Sequence, residues 1–210
     1  MAATRFPDDV EIAGSLRVSG SLLPARARGE LAQDNEVQIP IPFSQLRVWD
    51  AFATAIGTAG SDDLGISSGG TWGTNAPYIT AGDVKAAGAT TRRARFLYTL
   101  PPEYVSGETV RIVAHGGMIT TAADTSCTVD FEAYEINKSG GVTGSDLVTT
   151  SATTINSTTF AAKTFEVNAA GLAAGDVLDI RMTIACTDGA TATAVIPAIA
   201  HLVMAIDIKG

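Results

Sequence analysis

From residue 93 onward the chain follows one local rule, in which apolar and polar residues take turns. Ala94, Phe96, Tyr98 and Leu100 are apolar, and Arg93, Arg95 and Thr99 sit between them. Val110, Ile112 and Ala114 alternate with Arg111 and His115, and Cys127, Val129, Phe131 and Ala133 with Thr128, Asp130 and Glu132. Phe165 and Val167 do so against Thr164, Glu166 and Asn168, and Leu178, Ile180, Met182 and Ile184 against Asp179, Arg181 and Thr183. Leu202, Met204, Ile206 and Ile208 close the chain against His201, Asp207 and Lys209. A period of two sends successive side chains to opposite faces, so each segment predicts a strand with one buried face.

The connections agree. Residues 101–107, 137–141 and 173–176 carry the Pro, Gly, Asn and Asp of turns. The Thr-rich stretch from Leu147 to Phe160 predicts a further strand, because β-branched residues suit a pleated surface. From Ser44 to Ile56, Phe43, Leu46, Trp49, Phe52 and Ile56 fall near helical spacing, while Leu46 and Val48 equally suit a strand. Residues 57–88 form a long Gly-rich loop with Trp72 and Tyr78, of the kind that is commonly functional or pinned by a neighbour. Six clear strands with two or three more predict an all-β, antiparallel, jelly-roll-like sandwich over residues 36–210.

Residues 1–35 read differently, as an extended N-terminal arm. Ile12-Ala-Gly-Ser-Leu16 is nearly repeated in Val18-Ser-Gly-Ser-Leu22, either a short β-helical repeat or a plain arm with two glycine bends. So short a segment cannot bury its own apolar residues, and it needs a surface to lie on. Phe6, Val10, Ile12, Leu16, Val18 and Leu22 are the expected apolar anchors, with Arg17, Arg26 and Arg28 pairing to a partner's carboxylates.

Composition narrows the function. With 46% hydrophobic and 17% charged residues the chain is too apolar for a disordered protein. No apolar run approaches the roughly 20 residues of a membrane span, so no membrane partner is expected. Asp8, Asp9 and Glu11 stand where a signal peptide would need a basic start and an apolar core. A net charge of −8 argues against nucleic acid, whose phosphates attract Lys and Arg. Arg92, Arg93 and Arg95 then read as solvated strand edges, or as contacts to an acidic protein. Cys127 and Cys186 take the apolar phase of their strands, which predicts buried free thiols.

Catalytic vocabulary is thin. His115 and His201 are the only histidines, and no Gly-x-Ser-x-Gly elbow surrounds a serine. Asp8-Asp9 and Asp62-Asp63 lack the spacing of a calcium loop and read as solvated turns. No catalytic residue, cofactor or metal is expected. Trp72, Tyr78 and Tyr104 are candidate exposed aromatics, able to contact a sugar or to pack on a neighbouring subunit.

Several stretches carry a resemblance: Phe6-Pro-Asp-Asp-Val10, Gly14 to Gly20, Leu46 to Ala51, Ala94 to Tyr104 and Gly175 to Ile180. They resemble segments of tailed-phage virion proteins, small acidic jelly-roll proteins of the head-decoration or head-fibre kind. That resemblance implies a non-enzymatic capsid decoration (cement) protein, commonly a homotrimer. It would bind the major capsid protein through its arm and stabilise the assembled head, on the capsid surface of a virion made in the host cytoplasm. No active site comes with the family. The alternative is a tail, neck or fibre protein that contacts a receptor or glycan through Trp72 and Tyr78. Behind it stand a carbohydrate-binding module and, last, an enzyme using a histidine.

Overall fold

The computed structural model describes residues 36–85, 88–120, 125–137, 139–189 and 193–209. The arm, with all of its expected anchors, lies outside them. The described chain is a sandwich of two antiparallel sheets. The strands are β1 (Glu36–Pro40), β2 (Gly65–Ser67), β3 (Tyr78–Thr80), β4 (Gly88–Thr99), β5 (Val110–Met118), β6 (Thr125–Ile136), β7 (Val142–Thr143), β8 (Thr153–Thr154), β9 (Ala161–Val167), β10 (Val177–Asp188) and β11 (Pro197–Asp207).

The first sheet runs β2-β3-β11-β5-β9, with β1 also on β11. The second runs β10-β6-β7, with β8 on β6. β4 lies along the other side of β10, tied at its end by Leu100 N to Asp176 O at 2.8 Å and Gly175 N to Leu100 O at 2.9 Å. Alternation does what it predicts. Ala94, Phe96 and Leu100 of the β4 segment, Val129, Phe131 and Ala133 of β6, and Leu178, Ile180, Met182 and Ile184 of β10 are buried. The sheets meet where Phe131 of β6 packs edge-on against Phe165 of β9, with ring centroids 4.9 Å apart. Such a pair contributes about 1 kcal/mol beyond the area it buries.

Three expectations are corrected here. Cys127 and Cys186 are disulfide-bonded rather than free. They stand directly opposite each other in the β6–β10 register. The Cys127 carbonyl points away from β10, accepting from Ile155 N at 2.9 Å. Toward β10 the pair is therefore non-hydrogen-bonded, the position where opposed side chains come closest. Tyr104 is not an exposed aromatic. It is fully buried, and its hydroxyl donates to Glu108 O at 2.8 Å. The Gly57–Gly88 segment is not all loop, since it supplies β2 and β3.

Ser44–Ile56 is neither helix nor regular strand. A 3₁₀ turn at Phe43–Gln45 leads into Arg47, which pairs with Arg95 on the edge of β4 through N to O bonds of 2.8 and 3.0 Å. Leu46 and Ile56 reach the core from either end, which is all that the near-helical spacing recorded. The Thr-rich stretch yields only β8 and a bridge from Val148 to Val167. Its side chains also bond to nearby backbone, as Thr153 Oγ1 donates to Ser151 O at 3.2 Å, which competes with regular pairing.

Candidate functional site

If the even residues of β4 and β10 fill the core, the odd ones form the outer face of the second sheet. Register then decides which of them meet. Arg181 of β10 stands opposite Glu132 of β6, and Asp179 opposite Tyr134. Arg95 on β4 reaches Asp179 with Nε to Oδ1 at 2.6 Å and a second bond from Nη2 to Oδ2. Arg181 binds Glu132 Oε2 through Nε at 2.6 Å and through Nη2. Two arginine–carboxylate pairs thus lie side by side across three strands. The Asp179 carboxylate, by accepting those bonds, raises the Arg95 guanidinium further above its ordinary pKa.

The loop from Val48 to Thr54, closed by Val48 N to Thr54 O at 2.9 Å, stands over this row. Its Trp49 donates Nε1 to Asp62 Oδ2 at 3.0 Å. The Arg93 and Arg181 guanidinium carbons lie 5.2 and 5.8 Å from the Trp49 ring centroid, and that of Arg95 lies 5.3 Å from Phe52. These are cation–π distances, so aromatic and arginine side chains hold one another in place. The result is a cleft of about 340 Å³ walled by Trp49, Asp50 and Tyr134 over the two ion pairs. At the rear of the loop Asp63 is held above the usual carboxylate range, first by burial and then by the neighbouring Asp62 and Asp50. Asp130, beside Glu132 on β6, is raised by burial as well.

The structure distributes the sequence candidates unevenly. Trp72 is 97% exposed and sits in a turn closed by Asn75 N to Thr71 O at 3.1 Å. Tyr78 is half-buried on β3, in the first sheet, so neither belongs to the Trp49 cleft. His115 and His201 are exposed cross-strand neighbours with ring centroids 5.9 Å apart. Among the described residues no group of three or more His, Cys, Asp or Glu is placed to hold a metal ion. Arg92, Arg93 and Arg95 are not a free basic edge. Arg95 is paired, Arg93 lies against Trp49, and Arg92 donates to the carbonyls of Ser61 and Ala81. Asp62 likewise is spent on Trp49 and is not a merely solvated turn.

Trp49, Glu132, Tyr134, Asp179 and Arg181 were not singled out from the sequence. The only signal was opposite charge in the polar phase of separate strands, which acquires meaning once the register is known.

No family model matches the chain, and no curated protein matches it. Solved structures similar to it include the C-terminal family 22 carbohydrate-binding module of Clostridium thermocellum Xyn10B. It is 14% identical with a TM-score of 0.43, covering 83% of this chain and 95% of that one. The CBM22-1 xylan-binding domain of Paenibacillus barcinonensis Xyn10C is 9% identical with a TM-score of 0.40, covering 81% and 98%. The mannan-recognising module TmCBM27 is 12% identical with a TM-score of 0.35, covering 85% and 91%. The expectation of a capsid decoration protein is corrected at this point. The three solved structures named above are carbohydrate-binding modules, and none of them is a virion component. The arm on which that expectation rested lies outside the described residues.

Proposed function

We propose that the protein is a non-catalytic glycan-binding module whose sugar lies in the Trp49 cleft. The observation that supports this reading is the pair of ion pairs, Arg95–Asp179 and Arg181–Glu132, fixed side by side beneath two aromatic walls. Each hydroxyl of a sugar both donates and accepts, while the ring offers an apolar C–H face. Arginine N–H groups beside carboxylate oxygens answer the hydroxyls, and Tyr134 or Trp49 can take the C–H face.

Charge narrows the ligand further. Arg93, Arg95 and Arg181 face Asp50, Asp62, Asp179 and Glu132, so the cleft has no surplus cation with which to draw a polyanion. A neutral glycan fits. Catalysis is disfavoured because Asp179 and Glu132 are each occupied by an arginine, which leaves neither free to shuttle a proton.

Affinity electrophoresis tests the reading, in gels containing neutral polysaccharides (xylan and mannan first) or an anionic control. Retardation by at least one neutral polysaccharide is expected, and none by the anionic one. Tyr134→Ala and Arg181→Ala should each weaken binding about tenfold, the effect of losing about 1.4 kcal/mol of contact. Mobility unchanged in every neutral gel would overturn the proposal, as would retention untouched by both substitutions in folded protein.

A further inference from the structure

We infer that the module carries a second glycan site on its other sheet, centred on Tyr78. The outer face of the first sheet is not flat there. β11 shifts register between Ile199 and His201, and Ala200 occupies the irregularity. Such bulges re-aim neighbouring side chains. On one side of Ala200 stands Tyr78 of β3, and on the other Phe160 lies against β5. A Cβ added at Gly117 would sit 2.8 Å from the Phe160 ring, so that ring rests on bare backbone. Between the two rings opens an apolar pocket of about 290 Å³, with Ile119 on its wall.

The loop with Trp72 borders the same pocket. Asn75, which closes the Trp72 turn, lines it, as does Gly69. Gly69 has φ +73°, and a Cβ there would meet Ala76 O at 2.1 Å, so the loop returns onto itself only with glycine at this position. A tryptophan 97% exposed is a large apolar surface left in water, and the turn that carries it reaches the pocket through Asn75.

Across Tyr78 the surface changes character. A second cleft, of about 500 Å³, uses Tyr78 as a shared wall and is lined by Ser67, Thr80, Asp83 and Arg92. Its charges are of opposite sign, which suits a neutral ligand as the Trp49 cleft does. One ring flanked by an apolar pocket and a polar cleft matches two successive units of a neutral glycan chain, C–H face on one side and hydroxyls on the other. A purely apolar partner would leave the polar cleft unanswered. The inference shares its ligand chemistry with the proposed function, but its residues lie on the opposite sheet, so the module would be bivalent.

The test separates the two sites. The full chain, Tyr78→Ala, Tyr134→Ala and the double variant are compared by affinity electrophoresis in xylan and mannan gels, with thermal melting confirming each fold. Partial weakening in each single variant and loss of binding in the double is expected. Weakening by Tyr78→Ala alone would keep the second site and overturn the Trp49 cleft. Weakening by Tyr134→Ala alone would overturn the second site, and no effect of either would overturn both. Because Tyr78 is half-buried, amide chemical shifts of the unmutated protein titrated with xylohexaose and mannohexaose give a second readout. Shifts at 66–80 and 199–201 support the Tyr78 site, and shifts confined to 47–54, 132–134 and 179–181 exclude it.

Discussion

Removing the Cys127–Cys186 disulfide gives the sharpest quantitative test of this structure. The two cysteines face each other across β6 and β10, 59 residues apart in sequence, and both are buried. Cross-linking a loop of that length restricts the unfolded chain. By the chain-entropy relation this contributes about 4 kcal/mol at 25 °C. Against a total stability on the order of 5–15 kcal/mol that is a large share. For a chain of this size each kcal/mol moves the melting midpoint by about 2–4 °C, so Cys127→Ala/Cys186→Ala should melt about 8–16 °C below the native protein. The cavity term is small beside this, since each substitution deletes a single sulfur.

Differential scanning calorimetry measures the shift, and thiol titration of the denatured, unreduced protein checks the bond itself. No reactive thiol is expected. Two reactive thiols, or a double variant melting within about 2 °C of the native protein, would refute the reasoning.

Other perturbations follow from particular contacts. Arg95→Ala leaves Asp179, whose side chain is only 10% exposed, without its partner; a loss of about 2–4 kcal/mol in urea unfolding is expected, with part of it recovered in Arg95→Ala/Asp179→Ala. Gly65→Ala would put a Cβ 2.1 Å from Ala59 N and 2.6 Å from Gly57 O, backbone atoms that cannot rotate away; thermal melting should show a cost of more than about 2 kcal/mol. Burial pushes Tyr98 and Tyr104 up to about 12. Above pH 10 the unfolded chain releases these protons while the native protein keeps them, so stability should fall between about pH 10 and 12. Ultraviolet titration should show a late tyrosinate phase that Tyr98→Phe and Tyr104→Phe each reduce.

How much of this was legible in the sequence depended on range. Period-two patterning located β4, β5, β6, β9, β10 and β11, although β11, central in its sheet, is buried on both faces from Leu202 to Asp207. It failed where tertiary contact outranks pattern. Leu46 and Ile56 are buried by a loop that crosses the edge of β4, and no local periodicity distinguishes that from a helix. β2 and β3 are three residues each, too short to show alternation, and they are held by long-range pairing of β3 to β11 and by the close approach of the 57–59 backbone to Gly65. The aromatic residues were ranked by loop context, which favoured Trp72 and Tyr78. Trp49 enters the sequence reading through its near-helical spacing, whereas its ring stands on the outer face among arginines. The two arginine–carboxylate pairs join residues 84 and 49 positions apart, a distance that composition cannot bridge.

The Trp49 cleft is therefore a property of register more than of residue content. An odd slip of β6 against β10 would turn every core residue outward, and the hydrophobic pattern forbids it. A slip of two would not be forbidden that way, since Val129, Phe131 and Ala133 would still stand beside apolar residues of β10 on the core face of the sheet. In one direction it would set Asp179 opposite Glu132, two carboxylates in contact. In the other it would set Arg181 opposite Tyr134 and leave Glu132 facing Thr183. Only the observed register gives Arg181 its carboxylate while keeping Asp179 clear for Arg95. The disulfide lies on that same ladder, five pairs away, and a slip of two would require it to break. The covalent bond and the ion pairs thus select one alignment among those the core alone would accept. That alignment brings Glu132, Tyr134, Asp179 and Arg181 into one cleft.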